Sequence, residues 1–91
     1  MPGMNVGDVI GVQCTVQPGP FSDERLITFD TTNGPISGFV AEGELRQVGE
    51  KWLVRAVIMG VHDDFLEVLV KGSFFTTNGL ANVQKRHAVA A

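Results

Sequence analysis

The stretch Gly34-Pro35-Ile36-Ser37-Gly38-Phe39-Val40-Ala41-Glu42-Gly43-Glu44-Leu45 decides how this chain is read. It reads as a tight turn, a short strand and one helical turn closed by Leu45. Gly34 follows Asn33, and Asn-Gly is the strongest short hairpin signal because both residues tolerate positive φ. Gly38 lies inside the strand, where a missing side chain marks a bulge or the close approach of another backbone. A small barrel turns its corners in this way.

Working outward, residues 8–17 alternate cleanly. Ile10, Val12, Cys14 and Val16 face one way, and Gly11, Gln13, Thr15 and Gln17 the other, which is the period of a half-buried strand. Cys14 falls on the apolar side and reads as a small buried hydrophobe rather than a reactive thiol. Pro18-Gly19-Pro20 stops the strand, Ser22-Asp23-Glu24 extends a polar loop, and 26–30 forms a second strand with Ile27 and Phe29 on one side. The third strand covers 36–40. Residues 41–48 are the only helical piece, about two turns at most, weakened by Gly43 and ended by Gly49.

A long fourth strand over 51–61 is apolar on both faces except at Arg55, which predicts a central position covered on both sides. His62-Asp63-Asp64 turns into a fifth strand over 65–71, and 74–77 reads as a short edge strand before Asn78-Gly79. Residues 1–5 form a lead, 6–83 a single domain, and 84–91 a flexible tail. The run Phe29-Asp30-Thr31-Thr32-Asn33-Gly34 is echoed by Phe74-Phe75-Thr76-Thr77-Asn78-Gly79. A duplicated hairpin would explain the echo, and so would the Val-rich composition of strands and ordinary turn chemistry.

Short strands at close spacing, almost no helix and turns rich in glycine and proline predict an all-β fold, a small barrel of five to six strands. The 91 residues carry a formal net charge of -3, with 44% hydrophobic and 19% charged residues. That composition argues against disorder and against a protein that lives on duplex DNA, whose phosphates demand a basic stripe. A single cysteine excludes an intrachain disulfide. No secretory signal or membrane-spanning apolar run is visible, so a cytoplasmic chain without membrane contact is expected.

Chemistry is sparse. The serines Ser22, Ser37 and Ser73 lie in or near turns, and the two histidines are His62 and His87. No nucleophile has a base beside it by sequence. The contiguous His62-Asp63-Asp64 lacks the spaced, convergent ligands of a metal site and reads as a solvated turn. No glycine-rich phosphate loop is present. The expectation is a binding module rather than an enzyme, with no cofactor and no metal.

The order of elements resembles the five-stranded oligonucleotide-binding (OB) barrel, which places a helical connection between its third and fourth strands. It resembles in particular the RNA-binding OB barrels of the ribosomal protein S-one type over residues 6–72. Pro18-Gly19-Pro20-Phe21 stands where those domains carry an aromatic after glycine, and 34–45 where they carry a glycine, a hydrophobic pair and a helical turn. Two departures stand out: an insertion at 22–25, and Ala41-Glu42-Gly43 in place of their His-Ile-Ser segment. The stretch 34–45 is also similar to the Gly-x-x-Gly-aromatic-Val…Leu end of an SH3-like barrel. In that family, however, the single-turn helix precedes the last strand, and here two long strands follow it.

The OB resemblance implies single-stranded nucleic acid, RNA first, as partner. Its aromatic platforms would be Phe21 and Phe39, with Phe29 held in the core, and its positive track Arg25, Arg46 and Lys71. The alternative is a protein-interaction or homo-oligomeric module. Phe74 and Phe75 are adjacent, so one must point away from the core, Trp52 opens the most apolar strand, and an edge at 74–77 could accept a partner strand.

Overall fold

The computed structural model describes residues 4–75 and 77–90. Among them the chain is all-β: a single nine-stranded sheet curled into a half-barrel, with two isolated 3-10 turns and no α-helix. In chain order the strands are β1 (Val9–Pro18), β2 (Glu24–Thr31), β3 (Gly34–Ala41), β4 (Leu45–Val48), β5 (Lys51–Val61), β6 (Phe65–Val70), β7 (Ser73–Phe74), β8 (Leu80–Gln84) and β9 (Ala88–Ala90). Their order across the sheet is β7-β3-β2-β1-β5-β6-β8, with β4 added to β5 and β9 added to β1. No helix is long and apolar enough to cross a membrane among these residues.

Alternation supplies the core. Ile10, Val12, Ile27, Phe29, Val40, Val54, Ala56, Ile58, Leu66, Val68, Val70 and Val83 are buried in one cluster on the concave face. Each fully buried side chain of this size contributes about 1.5–3 kcal/mol of transfer free energy. β1 and β5 change neighbours along their length. β1 pairs with β5 over 9–14 and with β2 over 15–18. β5 pairs with β4 over 51–54 and with β6 over 56–61, with a bulge between Ile58 and Gly60.

The hairpin anticipated at Asn33-Gly34 is present, with a shifted detail. Thr31 pairs with Gly34, so Thr32 and Asn33 form the loop. Gly34 alone takes a positive φ, of 109°. Thr31 fastens the turn: its Oγ1 donates to the Gly34 carbonyl at 2.6 Å and accepts the Asn33 N–H at 3.1 Å. Gly38 fulfils the second expectation, since a Cβ there would run into the Phe74 ring and the Ser73 carbonyl of β7.

Three expectations are corrected. The helical piece at 41–48 is a single 3-10 turn, Glu42–Glu44, followed by β4. The turn does stand between the third strand and the long strand 51–61, as expected. The stretch 84–91 is no frayed tail over its described part: Gln84 ends β8, Lys85–His87 form the second 3-10 turn, and β9 pairs with β1. That second turn immediately precedes the last strand. The long strand 51–61 is central in the sheet but not covered on both faces, because Met59 and Val61 are exposed. Of the anticipated edge strand at 74–77, Phe74 belongs to β7, and Thr76 lies outside the described residues.

The two halves of the chain repeat one pattern. β1-β2-β3, a 3-10 turn and β4 are matched by β5-β6-β8, a 3-10 turn and β9, with β7 inserted in the second half. The turns are near copies. Ala41 and Gln84 precede them at φ/ψ of -65/142 and -66/140, and the N–H groups of Leu45 and Ala88 close them on the carbonyls of Glu42 and Lys85. Each half sends its last strand to the other half's first strand, β4 to β5 and β9 to β1. Val12 and Val54 are partners in the β1–β5 register and sit on the pseudo-twofold axis. The repeat is therefore real in the fold, although it does not follow the alignment of the Phe-Thr-Asn-Gly echo.

Candidate functional site

The candidate site is the convex face of β2, β3 and β7. The parity that buries Ile27, Val40 and Gly38 turns Leu26, Thr28, Ser37 and Phe39 outward. Leu26 and Phe39 are register partners, and Gln17 continues the same rung on β1. Phe39 pairs on its other side with Ser73. The chain then delivers Phe75, whose N–H donates to the Ser37 carbonyl at 3.2 Å. The rings of Phe39 and Phe75 meet edge to face, with centroids 5.7 Å apart and planes at 76°. Phe75 is 65% exposed. An aromatic pair open to solvent on a sheet face is the kind of surface that recognises a partner.

Phe74 goes the other way. It is half-buried, sits over Gly38 and meets Phe29 edge to face at 6.0 Å. Of the adjacent pair Phe74-Phe75, one plugs the barrel and one faces out, as period two requires. Trp52 is half-buried opposite Cys14 in the β1–β5 register, on the concave side. It is not part of the convex surface.

The candidates for a nucleic-acid site are dispersed. Phe21 is 66% exposed at the tip of the β1–β2 loop. Arg25 has the inward parity of Val40, its register partner. Its guanidinium is occupied: Nη2 donates to Glu42 Oε2 at 2.8 Å, and Nη1 to the Glu24 and Ser22 carbonyls at 2.8 and 2.9 Å. This clamp ties the β1–β2 loop to the first 3-10 turn. Arg46 lies on β4, paired with Leu53 across the sheet from β3. Lys71 is exposed between β6 and β7, two residues before Ser73. The structure thus gathers Phe39, Phe75 and Leu26, and leaves Arg25 and Arg46 elsewhere. The proximity of Phe75 to Phe39 was not legible, because it joins stretches far apart in sequence.

Other groups are accounted for. Burial pushes the Cys14 thiol up to about 11, which makes it a poor nucleophile at neutral pH. His62 Nε2 donates to Glu67 Oε1 at 2.7 Å, and the ring stacks on Phe65 with centroids 4.2 Å apart. It is the exposed corner of the β5–β6 turn, which its N–H closes on the Phe65 carbonyl. Among the described residues no three His, Cys, Asp or Glu side chains gather to hold a metal ion. Comparison with models of protein families, with curated proteins and with solved structures yields no match, so the geometry of the half-barrel carries the functional argument.

Proposed function

We propose that the chain is a non-catalytic binding module whose working surface is the convex face of β2, β3 and β7, and that its partner is a protein. The observation that carries this is the edge-to-face pair of the half-buried Phe39 and the exposed Phe75 beside Leu26. Aromatic side chains backed by a rigid sheet bury large area at low entropic cost, and such positions dominate protein interfaces.

Charge favours a protein over a nucleic acid. A single-strand groove needs a continuous track of cations beside its stacking platforms. Here Arg25 is held by Glu42, Arg46 stands on β4, and Lys71 lies between β6 and β7, so the three cations sit on separate elements. The chain as a whole is acidic, at -3.

The test has two arms. A photo-crosslinking phenylalanine analogue at position 75 should trap a protein in cells, while the same analogue at Thr15 on the hydrogen-bonded polar rung should not. In parallel, fluorescent oligouridylate is titrated at two salt concentrations. Micromolar binding that weakens with salt and disappears in Phe39→Ala would overturn the protein reading in favour of single-stranded nucleic acid.

A further inference from the structure

A second convex feature lies away from the aromatic pair, between β1, β4 and β5. Leu53 is buried, yet it stands outside the core cluster, because its parity on β5 turns it to the convex side. It is covered there by the backbone of β1: Gly11 has no side chain, and a Cβ at that position would stand 3.0 Å from the Leu53 Cβ. The missing side chain lets Leu53 pack against β1, and beside this contact lies a cleft of about 340 Å³, inside the range of roughly 300–1,000 Å³ typical of small-molecule sites. Val9 and Leu53 give it an apolar floor, and Gly43 leaves its wall at the first 3-10 turn open.

Two arginines stand on its rim. Arg55 is the register partner of Gly11, and Arg46 that of Leu53, so both project on the convex side of adjacent strands. Neither makes a side-chain hydrogen bond or ion pair among the described residues, in contrast to Arg25, whose guanidinium makes three hydrogen bonds. Glu44 also lines the cleft but bridges neither arginine within 4.0 Å. An apolar floor under two guanidinium groups with open donors matches a ligand that joins an apolar body to an acid. The fork of donors on each arginine fits the two oxygens of a carboxylate.

We infer that this cleft binds a small carboxylate carried on an apolar body, independently of the partner on the aromatic face. In the other half the corresponding positions carry Val89 for Arg46 and Gln13 for Arg55, so the site occurs once despite the repeated fold.

Octanoate and its neutral analogue octanamide are titrated into the isotope-labelled chain and followed by backbone amide shifts. Octanoate should bind saturably with a dissociation constant near or below about 1 mM, with shifts centred on Gly11, Gly43 and Leu53. Octanamide, Arg46→Gln and Arg55→Gln should each weaken binding about fivefold or more. Both arginines are exposed, so the variants keep the wild-type spectrum outside the cleft. Equal binding of octanamide, indifference to both substitutions, shifts centred elsewhere or no saturable binding would each overturn the assignment.

Discussion

The two halves of the sheet share an inside and differ outside. On the concave face, Val16-Ile27-Gly38 of β1, β2 and β3 corresponds to Ile58-Val68-Ala81 of β5, β6 and β8, and Val40 corresponds to Val83. On the convex face, the rung Thr15-Thr28-Ser37 corresponds to Val57-Leu69-Leu80. The first is a polar ladder, with Thr15 donating to the Thr28 carbonyl at 3.4 Å and the Thr28 and Ser37 hydroxyls 2.7 Å apart. The second is aliphatic, with Leu69 38% and Leu80 47% exposed. One rung along, the polarity reverses: Gln17-Leu26-Phe39 in the first half faces Gly60-Glu67-Asn82 in the second. Most inward positions are held to one chemistry by burial, whereas outward ones are free to diverge. The proposed recognition surface lies where the halves differ.

The largest break of this comparison is expected where the inside itself is unequal. Phe29 occupies in the first half the place Val70 holds in the second, and it also supports Phe74. Phe29→Ala should cost about 3–5 kcal/mol, more than Val70→Ala, measured by urea denaturation. Equal losses would mean that Phe74 collapses into the space and that the plug carries little of the stability.

Gly38→Ala makes the first half match Ala81 of the second, but here β7 lies against the glycine. Overpacking of this kind costs about 1–3 kcal/mol. The change should appear in denaturation and in increased hydrogen exchange at Phe75, whose N–H bonds to Ser37.

A smaller, pH-dependent effect separates Cys14 from its counterpart Ala56. The folded thiol is raised from 9.0 to about 11 by burial. Below pH 9 both states keep the proton and the thiol adds no pH dependence. Between 9 and 11 the unfolded thiol ionises first, so stability falls as pH rises through that window and levels off above it. Cys14→Ala should flatten this part of the profile, and alkylation of the native thiol at pH 8 should be slower than that of free cysteine.

The smallest effect is expected at Arg25, which stands where the second half places the core residue Leu66. Its bridge to Glu42 is partly exposed, at 31% and 59% for the two side chains. Arg25→Leu should shift stability by no more than about 1 kcal/mol in either direction, read by thermal denaturation. A larger loss would show that the clamp on the β1–β2 loop does more than the ion pair alone.

Much of the fold was legible because alternation is a local signal. The bounds of β5 coincide with the apolar run 51–61, and the buried faces of β1 and β6 follow their period-two pattern. The short strands β4 and β9 were not legible. With four and three residues they show no period, and they exist as strands because β5 and β1 supply their hydrogen-bond partners. The candidate site was half legible. Phe39 and Phe75 were each singled out, but for different roles and without their contact.

The sequence by itself determined that this is an all-β chain, where its long strands run and which apolar residues fill its core, since burial must follow the pleat. The tertiary structure alone decided which face of β3 turns outward, because parity is fixed by pairing with β2 and β7 and a slip of one residue would invert it. It also decided that Phe75 would meet Phe39, that each half would lend its last strand to the other, and that Leu53 would pack against Gly11. Each of these is a contact between distant stretches, and such contacts are fixed by closure of the sheet, which no local pattern records.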